Sequence, residues 1–156
     1  MSNVWFRRIV LDGDIGALDA AVAYYTRELE ESKKECKIDG SLEQAASRLP
    51  GIFEHRFNQL QEIDGILDYM NTELKRIRSH HFRNYLEKYN RDLAPTTIEK
   101  YIDGEDDVHT WKLEISKLAL LRNQFTGVTK SLDIKNWQIS NVVKLRLAGL
   151  EDSDLG

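Results

Sequence analysis

A single cysteine, Cys36, among 156 residues excludes an intramolecular disulfide framework and fits a reducing compartment, by default the cytoplasm. Only two prolines occur, Pro50 and Pro95, so long stretches of chain are free to remain helical. No run of 18 apolar residues is present, and no membrane-spanning segment is expected. The opening Val4-Trp5-Phe6-Arg7-Arg8 places its charges after the apolar residues and has no long apolar core, so it is not expected to be a signal peptide. The histidines, His55, His80, His81 and His109, show no His-x-x-x-His or Glu-x-x-His spacing, and there is no Cys-x-x-Cys pair or Gly-rich phosphate loop. Neither a metal, a cofactor nor a catalytic constellation is therefore expected. The carboxylates on amphipathic helices are read as a solvated face, and the protein is expected not to be an enzyme.

What the sequence does have is helical periodicity. Phe53, Phe57, Leu60, Ile63, Leu67, Met70, Leu74 and Ile77 recur at spacings of three and four, the pattern of a helix packed along its length against another. Trp111, Leu118, Phe125, Leu132 and Ile139 recur every seventh residue, with Val108, Ile115, Leu121, Val128, Val143, Leu147 and Leu150 widening the stripe. The expected fold is all-α: a long antiparallel, coiled-coil-like helical hairpin with shorter N-terminal helices, in a single domain spanning 1–156. Helices are predicted at about 14–37, 42–49, 51–91 and 106–149. Leu67, Met70, Leu74, Leu118, Leu121 and Phe125 are expected between the long pair.

The finer boundaries follow from local chemistry. Residues 1–13 are apolar and β-branched enough for a strand but have no strand partner, and are read as an N-terminal arm docked on the helices or a neighbour, or as an irregular first turn. Asp14 is a candidate N-cap for the first of the helices in 14–49, and Ser41 with Gln44 has capping-box spacing. Pro50 is expected to stop or kink the helix before it, and it suits the first turn of the hairpin, 51–149. Pro95 should start a brief turn holding Ile98, Tyr101 and Ile102. Residues 150–156 are expected to fray.

Charge is segregated. Residues 75–91 carry six basic side chains against one acidic, whereas 92–107 carry one basic against six acidic. Lys75, Arg76, Arg78 and Arg83 alternate with Phe82, Tyr85 and Tyr89. Helical spacing puts Arg78, Phe82, Tyr85 and Tyr89 beside the core stripe, and Arg76, His80 and Arg83 away from it. Cations beside flat rings suit a single-stranded nucleic acid, because phosphates pair with the cations and bases stack on the rings. The same residues also fit a solvated face whose aromatics continue the core and whose charge is neutralised by the acidic loop 103–107. A second cluster, Lys130, Ile134, Trp137 and Lys144, shares one face off the main stripe and is expected to be an oligomer or partner interface. Arg122, Thr129 and Asn136 occupy seam positions where polar residues often set oligomer state.

The order of these parts resembles the phage recombination mediator family typified by UvsY of the T-even phages. The matching pieces are Cys36-Lys37-Ile38-Asp39-Gly40-Ser41-Leu42, Leu49-Pro50, Leu74-Lys75-Arg76-Ile77-Arg78 with Phe82, Tyr85 and Tyr89, and Asp133 to Asn141 around Trp137-Gln138-Ile139. The resemblance implies a non-enzymatic homo-oligomer in the cytoplasm of a phage host. Such a protein binds single-stranded DNA, contacts single-strand-binding protein and a RecA-like recombinase, and helps the recombinase load. It implies DNA contact through Lys75, Arg76, Arg78 and their aromatic neighbours. The first 18 residues have no counterpart in that family, and the link between the long helices is shorter and lacks its Gly-rich turn. The rival expectation is a coiled-coil protein-binding adaptor or assembly protein without nucleic-acid binding.

Overall fold

The computed structural model describes residues 3–89 and 92–150. Two long helices dominate it: α3, Leu42–Lys88, and α5, Asp106–Leu147. At 1.5 Å per residue they are about 70 and 63 Å long. Asp64 lies 3.8 Å from Arg122 and His81 2.8 Å from Asp107, so rising positions in α3 meet falling positions in α5 and the pair is antiparallel. The fold is all-α, as predicted. Before the hairpin come α1, Val4–Phe6, which runs into a π-helical turn at Arg7–Leu11, then a 3-10 turn at Ile15–Ala17 and α2, Leu18–Glu35. Between the long helices lies α4, Pro95–Asp103, with Pro95 in its first turn. No helix among the described residues is long and apolar enough to cross a membrane.

The seven-residue stripe of α5 forms the seam. Leu118, Phe125 and Leu132 are wholly buried, facing Ile63, Ile66 and Met70 of α3. Leu67 and Leu121 are buried with them, whereas Leu74 is half-buried in a separate small cluster near the tip. The predicted stripe differs from the observed one at both ends. Phe53 and Phe57 are exposed, stacked on each other at 6.1 Å, while Arg56 and Gln59 take the buried positions. Val143, Leu147 and Leu150 are also exposed. The reason for the first difference is α2, which packs against the hairpin and supplies carboxylates to this part of α3. Tyr25 ties all three helices together: its hydroxyl donates to Glu62 Oε2 at 2.6 Å and its ring meets Phe125 edge-on at 6.2 Å. Burial first, and then that carboxylate, push the Tyr25 phenol far above its ordinary range.

Two local expectations are corrected. Pro50 does not divide the chain into helices 42–49 and 51–91, because α3 runs through it without interruption to Lys88. Pro50 and Ala46 are both on the exposed side, so the Ala46 carbonyl that loses its partner can turn to water, while Ala45 and Leu49 hold the backbone to the core. Asp14 stands at the N-cap of the 3-10 turn that runs into α2, but its side chain makes no cap hydrogen bond and accepts from Arg8 at 2.6 Å instead. The N-terminal segment, read as a docked arm or an irregular first turn, is a short helix running into a π-helical turn that lies against the hairpin, with Ile9 wholly buried. Ser41 does cap α3, accepting from the Gln44 amide at 3.2 Å. Positions 1–2 and 90–91 and most of the predicted frayed tail, 151–156, lie outside the described residues.

The N-terminal turn rests on a glycine. A Cβ built at Gly65 would stand 2.4 Å from the Phe6 ring, whereas one at Gly127 would meet nothing within 4 Å. Gly65→Ala therefore overpacks a tight contact at a cost of about 1–3 kcal/mol, which opposes its gain in helix propensity. Gly127→Ala keeps only the propensity gain and should stabilise by about 0.5–1 kcal/mol. Urea denaturation of the two variants should give shifts of opposite sign.

Candidate nucleic-acid interface

The predicted basic segment occupies the last four turns of α3, at the tip of the hairpin. There the main core has given way to the small one. Ile98 and Ile102 of α4 and Val108 of α5 are wholly buried, and Leu74, Ile77, Phe82, Tyr85 and Leu93 pack around them. The helix α4 thus lies along one side of the basic segment and brings acidic residues to it. Arg78 donates to Asp103 at 2.6 Å and also pairs with Glu99, and Lys112 reaches the same Asp103 oxygen at 2.7 Å. The hydrogen bonds from Lys112 and Arg78 hold the Asp103 carboxyl down to about 2, from an ordinary 3.8. Because its folded value is depressed, this clasp contributes stability above about pH 3.8 and loses it as the pH falls towards 2.

The six predicted nucleic-acid residues therefore divide. Lys75, Arg76 and Arg83 are exposed. Arg76 has only a loose pairing with Glu73, at 3.7 Å, while Arg78 is drawn into the acidic clasp. Phe82 is half-buried against the small core. Tyr85 is half-buried and donates to Glu105 Oε1 at 2.6 Å, which pushes its phenol up to about 12. Four of the six nevertheless come together: Lys75, Arg78, Phe82 and Arg83 line one open groove of about 690 Å³, with Leu86 and Glu99 completing its walls. Leu86 is more than half exposed in that groove.

A second arrangement beside it was not legible in the pattern. Tyr85 stacks on Tyr101 of α4 at 5.7 Å and leans on Tyr89 at 5.3 Å, making a three-ring ladder whose outer rings are both exposed. Tyr101 belongs to a helix of nine residues, in the segment whose acidic character drew attention instead, and only the tertiary fold sets it against Tyr85. The tip thus combines exposed cations, an open groove with an aromatic wall, and a stacked aromatic edge. Its chemistry suits phosphates and unpaired bases.

Lys130, Ile134, Trp137 and Lys144 lie on the face of α5 turned away from α3, and all four are exposed. Trp137 is 64% exposed and Ile134 55%, so together they offer apolar surface to whatever approaches. Of the polar seam residues, Thr129 is buried and donates to the Thr126 carbonyl at 2.8 Å, Arg122 approaches Asp64, and Asn136 lines a second groove with Pro50 and Phe53. Lys135, which the pattern did not single out, is buried. It donates to the Glu35 carbonyl at 2.7 Å, putting a cation at the C-terminal end of α2. No family model, curated protein or solved structure matches the chain.

Proposed function

We propose that this protein binds single-stranded DNA at the tip of its hairpin and acts as a recombination mediator, assisting a RecA-like recombinase to load in place of single-strand-binding protein. It would work in the cytoplasm of a phage host and as a homo-oligomer. The observation that carries the DNA-binding part is the groove in which Lys75, Arg78 and Arg83 surround Phe82, beside the Tyr89–Tyr85–Tyr101 ladder. The mediator role rests on the order of sequence motifs that resembles the phage family. Phosphates would run past Lys75, Arg76 and Arg83. Bases would lie on the exposed rings of Tyr89 and Tyr101 and against the free edge of Phe82.

Mutation separates stacking from charge. Lys75→Ala, Arg76→Ala and Arg83→Ala combined remove three exposed cations, and the log-log salt slope for single strands should shrink by about 0.7 for each phosphate left without its cation. Tyr101→Ala should cost about 1–3 kcal/mol of single-strand affinity, with a much smaller effect on duplex. Both variants must melt near the wild-type temperature for the comparison to hold. An unchanged slope in the triple variant would reduce the basic segment to a solvated face.

The rival function, a protein-binding adaptor, draws on the pairing of Arg78 with Glu99 and Asp103 and on the exposed Trp137 face. In the proposed oligomer that face joins subunits. Trp137→Ala should then lower the mass measured by light scattering while helical circular dichroism stays the same. A monomeric wild type would remove the assembly role.

A further inference from the structure

His81, Glu105 and Asp107 meet where the last turns of α3 cross the start of α5. One ligand atom from each lies within 4.8 Å of the others. His81 Nε2 is 2.8 Å from Asp107 Oδ1 and 2.9 Å from Oδ2, and His81 Nδ1 is 4.0 Å from Glu105 Oε1. The His81 side chain is mostly buried, at 18% exposure, and so is held in place by packing. Glu105 is fixed as well, because the Tyr85 hydroxyl donates to its Oε1 at 2.6 Å.

We propose that these three side chains form a binding site for a divalent transition metal, with zinc the best-fitting ion. One imidazole nitrogen and two carboxylate oxygens make a mixed nitrogen and oxygen set, which suits zinc and its neighbours. Calcium and magnesium take shells made almost wholly of oxygen. In a four-coordinate zinc site with bonds of about 2.0–2.1 Å, ligand atoms stand about 3.3 Å apart, so side-chain movements of up to about 1.5 Å, with Glu105, which faces Nδ1, swinging towards the Nε2 side where Asp107 lies, bring the set together. Two carboxylates outweigh the opposing charge nearby, which comes from Lys88 in the adjoining recess and the positive N-terminal pole of α5. The Tyr85 hydroxyl has the place of an outer hydrogen bond that orients a ligating carboxylate. Sequence spacing conceals the set, since His81 comes from one long helix and both carboxylates from the start of the other. A bound ion would fasten the two helices at the tip and cancel negative charge beside the tyrosine ladder. Metal binding here depends on the ligand geometry and not on DNA binding.

The test is calorimetric titration of zinc chloride into the full chain after chelator treatment and dialysis, with calcium and magnesium chloride run alongside. One zinc per chain, no comparable calcium or magnesium binding, and a higher melting temperature with zinc are expected. His81→Gln should weaken zinc binding at least tenfold, and Tyr85→Phe, which keeps the ring and removes only the outer hydrogen bond, by about tenfold. His80→Gln, on a different face of α3, should leave it unchanged. Should His81→Gln fail to fold, Asp107→Asn serves in its place, since its amide oxygen can still accept from the Val108 amide. The proposal is overturned if zinc binds with no saturable single site, or if His81→Gln and Tyr85→Phe bind as tightly as the wild type. Because His81 lies outside both the basic groove and the tyrosine ladder, loss of zinc in His81→Gln with single-strand binding intact separates this site from the proposed function.

Discussion

Arg56→Ala should lower the stability of the fold by about 3 kcal/mol, near the lower end of the range for breaking a buried ion pair. The Arg56 side chain is only 4% exposed in the angle between α2 and α3. It gives Nε and Nη2 to the two oxygens of Glu35 at 2.7 and 2.8 Å, and Nη1 to Glu28 at 2.7 Å and to Gln59 at 2.9 Å. Removing it leaves two carboxylates facing each other without a cation, although both retain some contact with water, which keeps the cost at the low end. Arg56→Met, which keeps an apolar stem in the space, should cost less. The effect also depends on pH. Burial pushes the Glu28 carboxyl up, but hydrogen bonds from Gln59 and Arg56 outweigh it and hold the group below its ordinary 4.5. The resulting stability is fully present above that pH and is lost as the pH falls below it, so Arg56→Ala should flatten part of the acid side of the stability curve. Chemical denaturation followed by circular dichroism at pH 7 and at pH 4 checks both statements.

Phe125→Ala should cost about 3–5 kcal/mol, because it removes a wholly buried ring and leaves a cavity. Phe125 lies at the middle of the seam and forms the edge-on contact with Tyr25, so the cavity opens where α2, α3 and α5 meet. A neighbouring surface change such as Gln124→Ala, at an exposed position, should stay within about 0.5 kcal/mol. Denaturant midpoints for the pair measure the difference. Equal midpoints would mean that the hairpin is not held by this seam.

The contrast between these two positions shows what was legible in the sequence. Phe125 belongs to a run of apolar residues every seventh position, and periodicity alone was enough to place it between long helices. Arg56 falls at a seam position too, seven residues before Ile63, but a charge there makes sense only with acidic partners 28 and 21 positions earlier in the chain. Phe53 and Phe57 accordingly looked like the better core residues. Pro50 misled for a related reason: its local preference is to break a helix, and anchoring of the flanking turns overrides it. At the tip, the cationic and aromatic residues of α3 were legible because they lie on one helix. Their acidic partners Glu99 and Asp103, and the stacking partner Tyr101, come from α4, and only the fold sets that short helix against them.

Binding of single-stranded DNA is the central claim, and a fluorescent oligonucleotide titrated with the wild-type protein at about 50 and 200 mM salt tests it most directly. If Lys75, Arg76 and Arg83 each hold a phosphate, the dissociation constant should rise about 20-fold between the two conditions. No binding at the lower salt, or binding indifferent to salt, would contradict the account and leave the tip of the hairpin a salt-bridged end of a protein-binding scaffold.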